Sequence, residues 1–253
     1  MVIPLHDDVP THRFPILTVL LIAVNVFVYF LIQPHGADEE SFVVEHAAIP
    51  CELDQDGPLT EVEYYTSDCG ATGEITVQSS SGTFVADDVP FFPGKHVWLA
   101  VLTSMFLHGS FLHLAGNMLF LWVFGNNVED HLGWFLFPAF YLVTGIAAMA
   151  AHFFADPGST VPVLGASGAI AGVMGAYLVF WPRARVLTIV FITVVPIPAA
   201  LLLVGWFLWQ FLTDANSGVA WLAHVGGFAA GFGLALVLRA VLGPPRPHPV
   251  ALA

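Results

Sequence analysis

The sequence predicts an all-α polytopic membrane protein, a bundle of six transmembrane helices with a small extracytoplasmic insert between spans 1 and 2. The first observation is composition: 57% of the 253 residues are hydrophobic and only 10% are charged, whereas a soluble domain carries about 25% charged residues. The second is a series of six apolar runs close to the length that crosses a bilayer. The third is one acidic stretch after the first run. A soluble enzyme is therefore excluded, and a net charge of −13 argues against a nucleic-acid partner.

Changes in composition divide the chain into four parts. Residues 1–33 are predicted to form a cytoplasmic tail and the first transmembrane helix, and residues 34–93 an extracytoplasmic acidic insert. Residues 94–243 hold spans 2 to 6, and residues 244–253 form a second cytoplasmic tail. The six apolar runs are Phe14–Ile32, Phe106–Val128, Leu132–Phe154, Val161–Trp181, Val186–Leu212 and Ala220–Leu242.

The fourth run is interrupted near its start by Pro162, Gly165 and Gly168. Its uninterrupted part, Ser167 to Trp181, is only about 22 Å long as a helix. Because the hydrocarbon layer is about 30 Å thick, the start of this helix should lie inside the membrane, beside a cavity or other protein.

The basic residues orient the bundle. An even number of spans puts five of the six bases on one side of the membrane, which the positive-inside rule identifies as the cytoplasm. Both termini are therefore predicted to be cytoplasmic, in a multi-pass protein of the cell membrane. Lys95 alone falls on the outer side. The five cytoplasmic bases are Arg13, Arg183, Arg185, Arg239 and Arg246.

The stretch from Ala37 to Pro90 holds 13 of the 19 acidic residues, no Lys or Arg, and both cysteines. A disulfide between Cys51 and Cys69 would stabilise such an insert, and an oxidising compartment permits that bond. A metal site built with His46 is the weaker alternative, because it lacks a close pair of cysteines. The sequence thus predicts a small folded insert without metal.

Polar groups inside membrane spans are costly, so each one suggests a function. Counted back from the cytoplasmic ends of spans 2, 4 and 6, four of them lie roughly 18–24 Å above the inner face. Taken singly, each has an ordinary explanation as small-residue packing, interhelical hydrogen bonding or a buried histidine. Their common depth instead favours one shared site. The four are His113, Asn117, Ser167 and His224.

Small residues in spans 4 and 6 predict that these helices touch. Gly227 and Gly231 lie on the same face of span 6 as His224, so packing that face on span 4 brings the imidazole toward Ser167. A serine and a histidine in contact make an activated nucleophile and its general base. Because the nearest acids, Asp156 and Asp214, lie at the membrane edge, the sequence predicts a Ser–His dyad rather than a triad.

These segments resemble the rhomboid intramembrane serine proteases. The matching motifs are Gly-Ala-Ser-Gly around Ser167, His-x4-His-x3-Asn from His108 to Asn117, and Ala-His-Val-Gly-Gly around His224. The segment from Gly125 to Glu129 also fits the family pattern. The resemblance covers about Phe92 to Gly243, and in that order the motifs are highly specific.

The resemblance implies a six-helix bundle with a water-filled cavity, which cleaves single-pass transmembrane protein substrates near their outer boundary without a cofactor. Mapped by motif, Ser167 is the nucleophile and His224 the general base. His113 and Asn117 are the oxyanion stabilisers, together with the Ser167 backbone N–H. The surrounding membrane lipids are the other implied partner. Supporting structural positions are His108, Gly165, Gly168, Gly227 and Gly231.

Two departures from the family pattern matter. Trp98 is followed by Leu99 instead of an Arg, so the first loop needs another anchor. Ala171 replaces a Tyr that stacks on the catalytic His, so another group must hold the His224 ring. The aromatic cluster from Trp206 to Phe211 predicts a lipid-facing belt, or alternatively a side gate for substrate.

Two other functions stay open at this point. A catalytically inactive rhomboid-like protein would bind membrane segments without cutting them. A small transporter would use the broken fourth span to line its substrate site.

Overall fold

The computed structural model describes residues 2–79, 82–213 and 219–245. Predictions that involve Asp214, Arg246 and residues 246–253 of the second tail lie outside this range. The strands are β1 (Val2–Asp7), β2 (Ile75–Ser79), β3 (Gly82–Ala86), β4 (Arg185–Val190) and β5 (Thr193–Pro198). The helices are α1 (Ile16–Phe27), α2 (Glu39–His46), α3 (Pro50–Asp54), α4 (Glu61–Thr66), α5 (Val97–Thr103), α6 (Phe111–Phe120), α7 (Asn126–Ala155), α8 (Ser167–Phe180), α9 (Ala199–Gln210) and α10 (Trp221–Leu242).

The described residues are mostly helical, as predicted. Two helical stretches are long and apolar enough to cross a membrane, Phe111–Ala155 and Trp221–Leu242, and four more apolar helices have 10–17 residues. Gly133 breaks the first stretch, with a φ of 75° and a ψ of 173°. The boundary predicted between runs 2 and 3 therefore lies at this glycine, a few residues later than the sequence indicated.

Helix α8 lies at the centre of the bundle and is buried along most of its length. Its small residues allow the neighbouring helices to approach closely. Gly227 and Gly231 of α10 lie directly against the backbone carbonyls of Gly168 and Gly172, so a methyl group at either α10 position would collide with the α8 backbone. The predicted contact between these two helices is thus made through the backbones themselves.

The prediction of one long transmembrane run from Val186 to Leu212 is wrong. This segment forms the hairpin of β4 and β5, and only α9 is helical. The physical reason is local: the segment is rich in β-branched residues, which favour strands, and Pro196 and Pro198 cannot donate the hydrogen bonds of a helix interior. Phe191 turns the hairpin with a φ of 57°.

The start of the chain, predicted as a cytoplasmic tail, forms the strand β1. Strand β1 pairs antiparallel with β4, which makes a three-stranded sheet in the order β1-β4-β5. At its end, the Asp7 side chain is buried. Its Oδ2 atom accepts a hydrogen bond from Asn127 Nδ2 at 2.6 Å and another from the Tyr177 hydroxyl. A buried carboxylate therefore ties β1 to both α7 and α8.

The insert is folded around the disulfide that joins Cys51 and Cys69. Trp98 anchors the following helix to it, because its indole N–H donates to the Asp56 carboxylate at 2.6 Å. The insert also holds the loop before α8. Two backbone hydrogen bonds make this contact, from Val163 N–H to Ala48 O at 2.8 Å and from Cys51 N–H to Ser159 O at 3.0 Å.

The buried Asp7 predicts an unusual pH dependence of stability. Burial raises the pKa of the Asp7 carboxyl from 3.8 to about 6. Because this folded-state pKa lies above the unfolded value, the group favours folding at low pH, and that contribution is lost as the pH rises from about 4 through 6. The free energy of unfolding should fall by about 1–2 kcal/mol between pH 5 and pH 7.5 through this group alone.

Asp7→Asn keeps an oxygen for Tyr177 and Asn127 but does not titrate. Unfolding in detergent, measured at both pH values, should show a smaller pH dependence in this variant than in the wild type. Equal pH dependence in the two proteins would contradict the assignment.

Candidate active site

Ser167 is the first residue of α8, and the preceding loop fixes its position. Gly165 has a φ of 117°, and its N–H donates to the backbone oxygen of Ser104 at 2.9 Å. A Cβ atom at Gly165 would lie only 2.8 Å from the His113 ring. The backbone conformation and the crowding both require glycine at this position.

His224 lies one turn into α10 and faces Ser167. Its Nε2 atom is 2.8 Å from Ser167 Oγ, a hydrogen-bonding distance. The helix contact explains this geometry, since Gly227 is three residues after the histidine and rests on Gly168, the residue after the serine. The backbone approach of α10 to α8 thus sets the distance between the two side chains.

His113 and Asn117 lie one turn apart on α6. Ser110 begins this helix as its N-cap, and its hydroxyl oxygen accepts the His113 backbone N–H at 3.1 Å. Asn117 is buried, and within the described residues its Nδ2 atom has no hydrogen-bond partner. Both side chains adjoin Gly165: a Cβ atom built there would be 3.6 Å from Asn117 Nδ2.

The four side chains line one cavity of about 500 Å³. Most of its other lining residues are apolar. In the part of the chain that the structure describes, no side chain caps the start of α8. The first N–H groups of a helix have no intrahelical partner and carry a partial positive charge. A hydroxyl, two imidazole rings and a side-chain amide therefore line the cavity at the start of α8. The apolar and glycine lining comprises Gly109, Leu112, Gly116, Phe120, Pro162, Val163, Leu164, Ile170, Met174, Trp206, Val219 and Ala220.

His108 is fully buried, and its ring lies 5.1 Å from that of His113. Its backbone is held from both sides by the side-chain amide of Gln33, which donates to His108 O at 2.8 Å and accepts from His108 N–H at 3.1 Å. These hydrogen bonds are made by the backbone of His108, so the structural role expected of its side chain stays a prediction.

Two partners of the His224 ring were not among the site residues predicted from the sequence. Gln210 Oε1 lies 2.8 Å from His224 Nδ1, and the Trp206 ring centre lies 5.8 Å from the imidazole. No carboxylate among the described residues contacts His224. The sequence does contain an indication of this role. Gln210 is a polar side chain inside an apolar run, and a polar side chain in a membrane span is costly enough to suggest a function.

The fold and the cavity define a class of protein: a mostly helical protein with candidate membrane helices, in which a serine and a histidine meet inside the bundle. The model of the rhomboid domain matches residues 95–241. The chain belongs to the rhomboid family.

Several curated proteins are similar to this chain. RHOMBOID-like protein 5 of Arabidopsis thaliana is 31% identical over 153 residues, which cover 58% of this chain and 47% of that protein. Rhomboid protein 1, mitochondrial, of Saccharomyces cerevisiae is 33% identical over 53% of this chain and 40% of its own length. Rhomboid protease GluP of Bacillus subtilis is 43% identical over 81 residues, 32% of this chain and 15% of that protein. The matches thus span about half or less of these relatives.

Proposed function

We propose that this protein is an intramembrane serine endopeptidase that cleaves the transmembrane segments of single-pass membrane proteins near the extracytoplasmic boundary. The observation that carries the proposal is the hydrogen bond between Ser167 Oγ and His224 Nε2 inside the cavity. Membership of the rhomboid family supports it, as does the similarity to a relative named as a rhomboid protease.

In the proposed reaction, the Ser167 hydroxyl attacks the carbonyl carbon of the scissile peptide bond while its proton passes to His224 Nε2. The resulting tetrahedral intermediate carries its negative charge on the former carbonyl oxygen. His224 then gives the proton to the leaving amine as the C–N bond breaks. Water hydrolyses the acyl-enzyme by the same route, with His224 again as general base and acid. No cofactor takes part in any of these steps.

Three donors are proposed to stabilise the oxyanion: Asn117 Nδ2, the His113 ring and the backbone N–H of Ser167. Asn117 fits this role because its amide nitrogen is buried and has no hydrogen-bond partner among the described residues, and a buried unpaired donor costs about 1–3 kcal/mol in the resting state. A negative oxygen in the transition state would remove that cost. The positive end of the α8 helix dipole would also stabilise this negative charge.

We propose that the protein lies in the cell membrane with six spans. Both termini are then in the cytoplasm. Helix α8 supports this arrangement, since it runs from the loop held by the insert to the end that carries the β1-β4-β5 sheet. Arg185 lies in that sheet, and the Arg239 guanidinium donates to the backbone oxygen of Val179 near the end of α8. Arginines at one end and the acidic insert at the other match the positive-inside rule. Ser167 then lies nearer the outer surface.

An inactive membrane-segment binder or a small transporter would have no use for the Ser167–His224 hydrogen bond. Nor would either require a buried Asn117 amide that lacks a hydrogen-bond partner within the described part of the chain. The geometry therefore favours the protease over both alternatives.

Ser167→Ala should abolish cleavage of a transmembrane reporter substrate, because it removes the attacking oxygen while leaving the helix start nearly unchanged in volume. Thermal stability should stay close to that of the wild type. Ser41→Ala changes an exposed serine of α2, serves as the matched control and should cleave normally. Cleavage by Ser167→Ala above a tenth of the wild-type rate would contradict the nucleophile assignment.

Asn117→Ala should lower kcat by about 10²–10³-fold, the cost of losing one oxyanion donor. The variant should still react with a fluorophosphonate, because the nucleophile and base are intact. Asn25→Ala removes a buried amide that donates to Leu21 O on α1 and does not line the cavity, so its kcat should change little. Turnover by Asn117→Ala at the wild-type rate would exclude the oxyanion role.

A further inference from the structure

We propose that Gln210 is a positioning residue that holds His224 in the tautomer able to accept the Ser167 proton, so that the proposed dyad acts as a Ser–His–Gln triad. This inference rests on the proposed function and extends it to α9, a helix to which the motifs assign no chemistry.

The geometry forms a continuous chain of hydrogen bonds. Gln210 is 5% exposed, and its Oε1 atom lies 2.8 Å from His224 Nδ1. The other imidazole nitrogen, Nε2, lies 2.8 Å from Ser167 Oγ. The two ring nitrogens of His224 therefore each have one protein partner, on opposite sides of the ring.

The donor and acceptor roles in these hydrogen bonds follow from the contact that the side-chain nitrogen of Gln210 makes. Gln210 Nε2 donates to the backbone oxygen of Trp206 at 3.2 Å, and a carbonyl can only accept. The amide nitrogen is thus committed to that carbonyl, which leaves the amide oxygen facing the histidine. Because an amide oxygen also only accepts, His224 Nδ1 must carry the hydrogen. Its Nε2 atom then has the free lone pair that takes the proton of Ser167.

The same helix supplies the packing partner of the ring. Position 171 on α8 is Ala171, so no aromatic side chain can reach the imidazole from that position, whereas Trp206 of α9 lies with its ring centre 5.8 Å away. Trp206 and Gln210 are one helical turn apart and so share one face of α9. Helix α9 therefore fixes both the plane and the tautomer of His224.

A glutamine orients the histidine without adding charge. A carboxylate in the same place would also stabilise the imidazolium, as the aspartate of a serine-protease triad does. Among the described residues that line the cavity, His113 is the other titratable side chain. A carboxylate introduced at position 210 would consequently be the dominant new charge near His224.

The test compares Gln210→Met and Gln210→Glu in the full-length protein, with kcat and KM for a transmembrane reporter measured from pH 5 to pH 9. Gln210→Met keeps the approximate length of the side chain but removes the acceptor, so kcat should fall by about tenfold or more while KM stays within about twofold. Gln210→Glu restores an acceptor, so kcat should recover to near the wild-type value on its plateau. The acid limb of its kcat–pH profile, where kcat rises with pH, should shift to higher pH by about one unit or more. Leu208→Met, on the exposed face of α9, is the matched control and should behave as the wild type.

Two results would overturn the proposal: a kcat for Gln210→Met within twofold of the wild type, or an acid limb for Gln210→Glu that coincides with the wild-type limb. If Gln210→Met does not fold, the Gln210→Glu profile decides alone, because a merely structural role for the amide would not shift the acid limb. Failure of the proposed function gives a different result: either the wild type would not cleave the reporter, or Ser167→Ala would cleave it at the wild-type rate.

Discussion

The contact between the backbones of α8 and α10 is the constraint on which the rest of the site depends. Glycines at 227 and 231 let α10 rest on the carbonyls of Gly168 and Gly172, an approach that any side chain would prevent. In a membrane, where apolar side chains gain little by leaving lipid, close packing of this kind is a main source of helix association. The register of the contact places His224 beside Ser167 at 2.8 Å. The catalytic geometry proposed here is thus a consequence of helix packing.

Structures at both ends of α8 hold that central helix in place. At one end, the backbone of the disulfide-bonded insert binds the loop that leads to Ser167. At the other, Asp7 connects the N-terminal strand to Tyr177 on α8 and to Asn127 on α7. The glutamate at the end of the Gly125–Glu129 segment acts similarly on α1, because its carboxylate accepts the N–H groups of Leu17 and Thr18 at 2.9 and 2.7 Å. Segments that look like tails and loops in the sequence therefore support the site.

Much of the helical core could be read from the sequence because lipid imposes strong rules. Polar side chains within apolar runs are few, so their depth along each helix was informative, and the glycine spacing indicated which helix faces meet. The β4–β5 hairpin was missed because hydropathy alone does not separate a long apolar helix from apolar strands, and only Pro196, Pro198 and the β-branched residues distinguish them. Strand β1 was missed because its partner β4 lies far away in the chain. Gln210 was not predicted, although it is a polar group in an apolar helix, because a carboxylate was the partner expected for the histidine and a neutral amide oxygen can accept the same imidazole N–H.

The most direct test of the central claim is to react the protein with a fluorophosphonate and to locate the modified residue by peptide mass spectrometry. Our account predicts one phosphonylated serine, Ser167, and strong loss of the reaction in His224→Asn, because the imidazole is needed to accept the proton of Ser167. Modification of a different serine, or an unchanged rate in His224→Asn, would contradict the claim that these two residues form the nucleophile and its base.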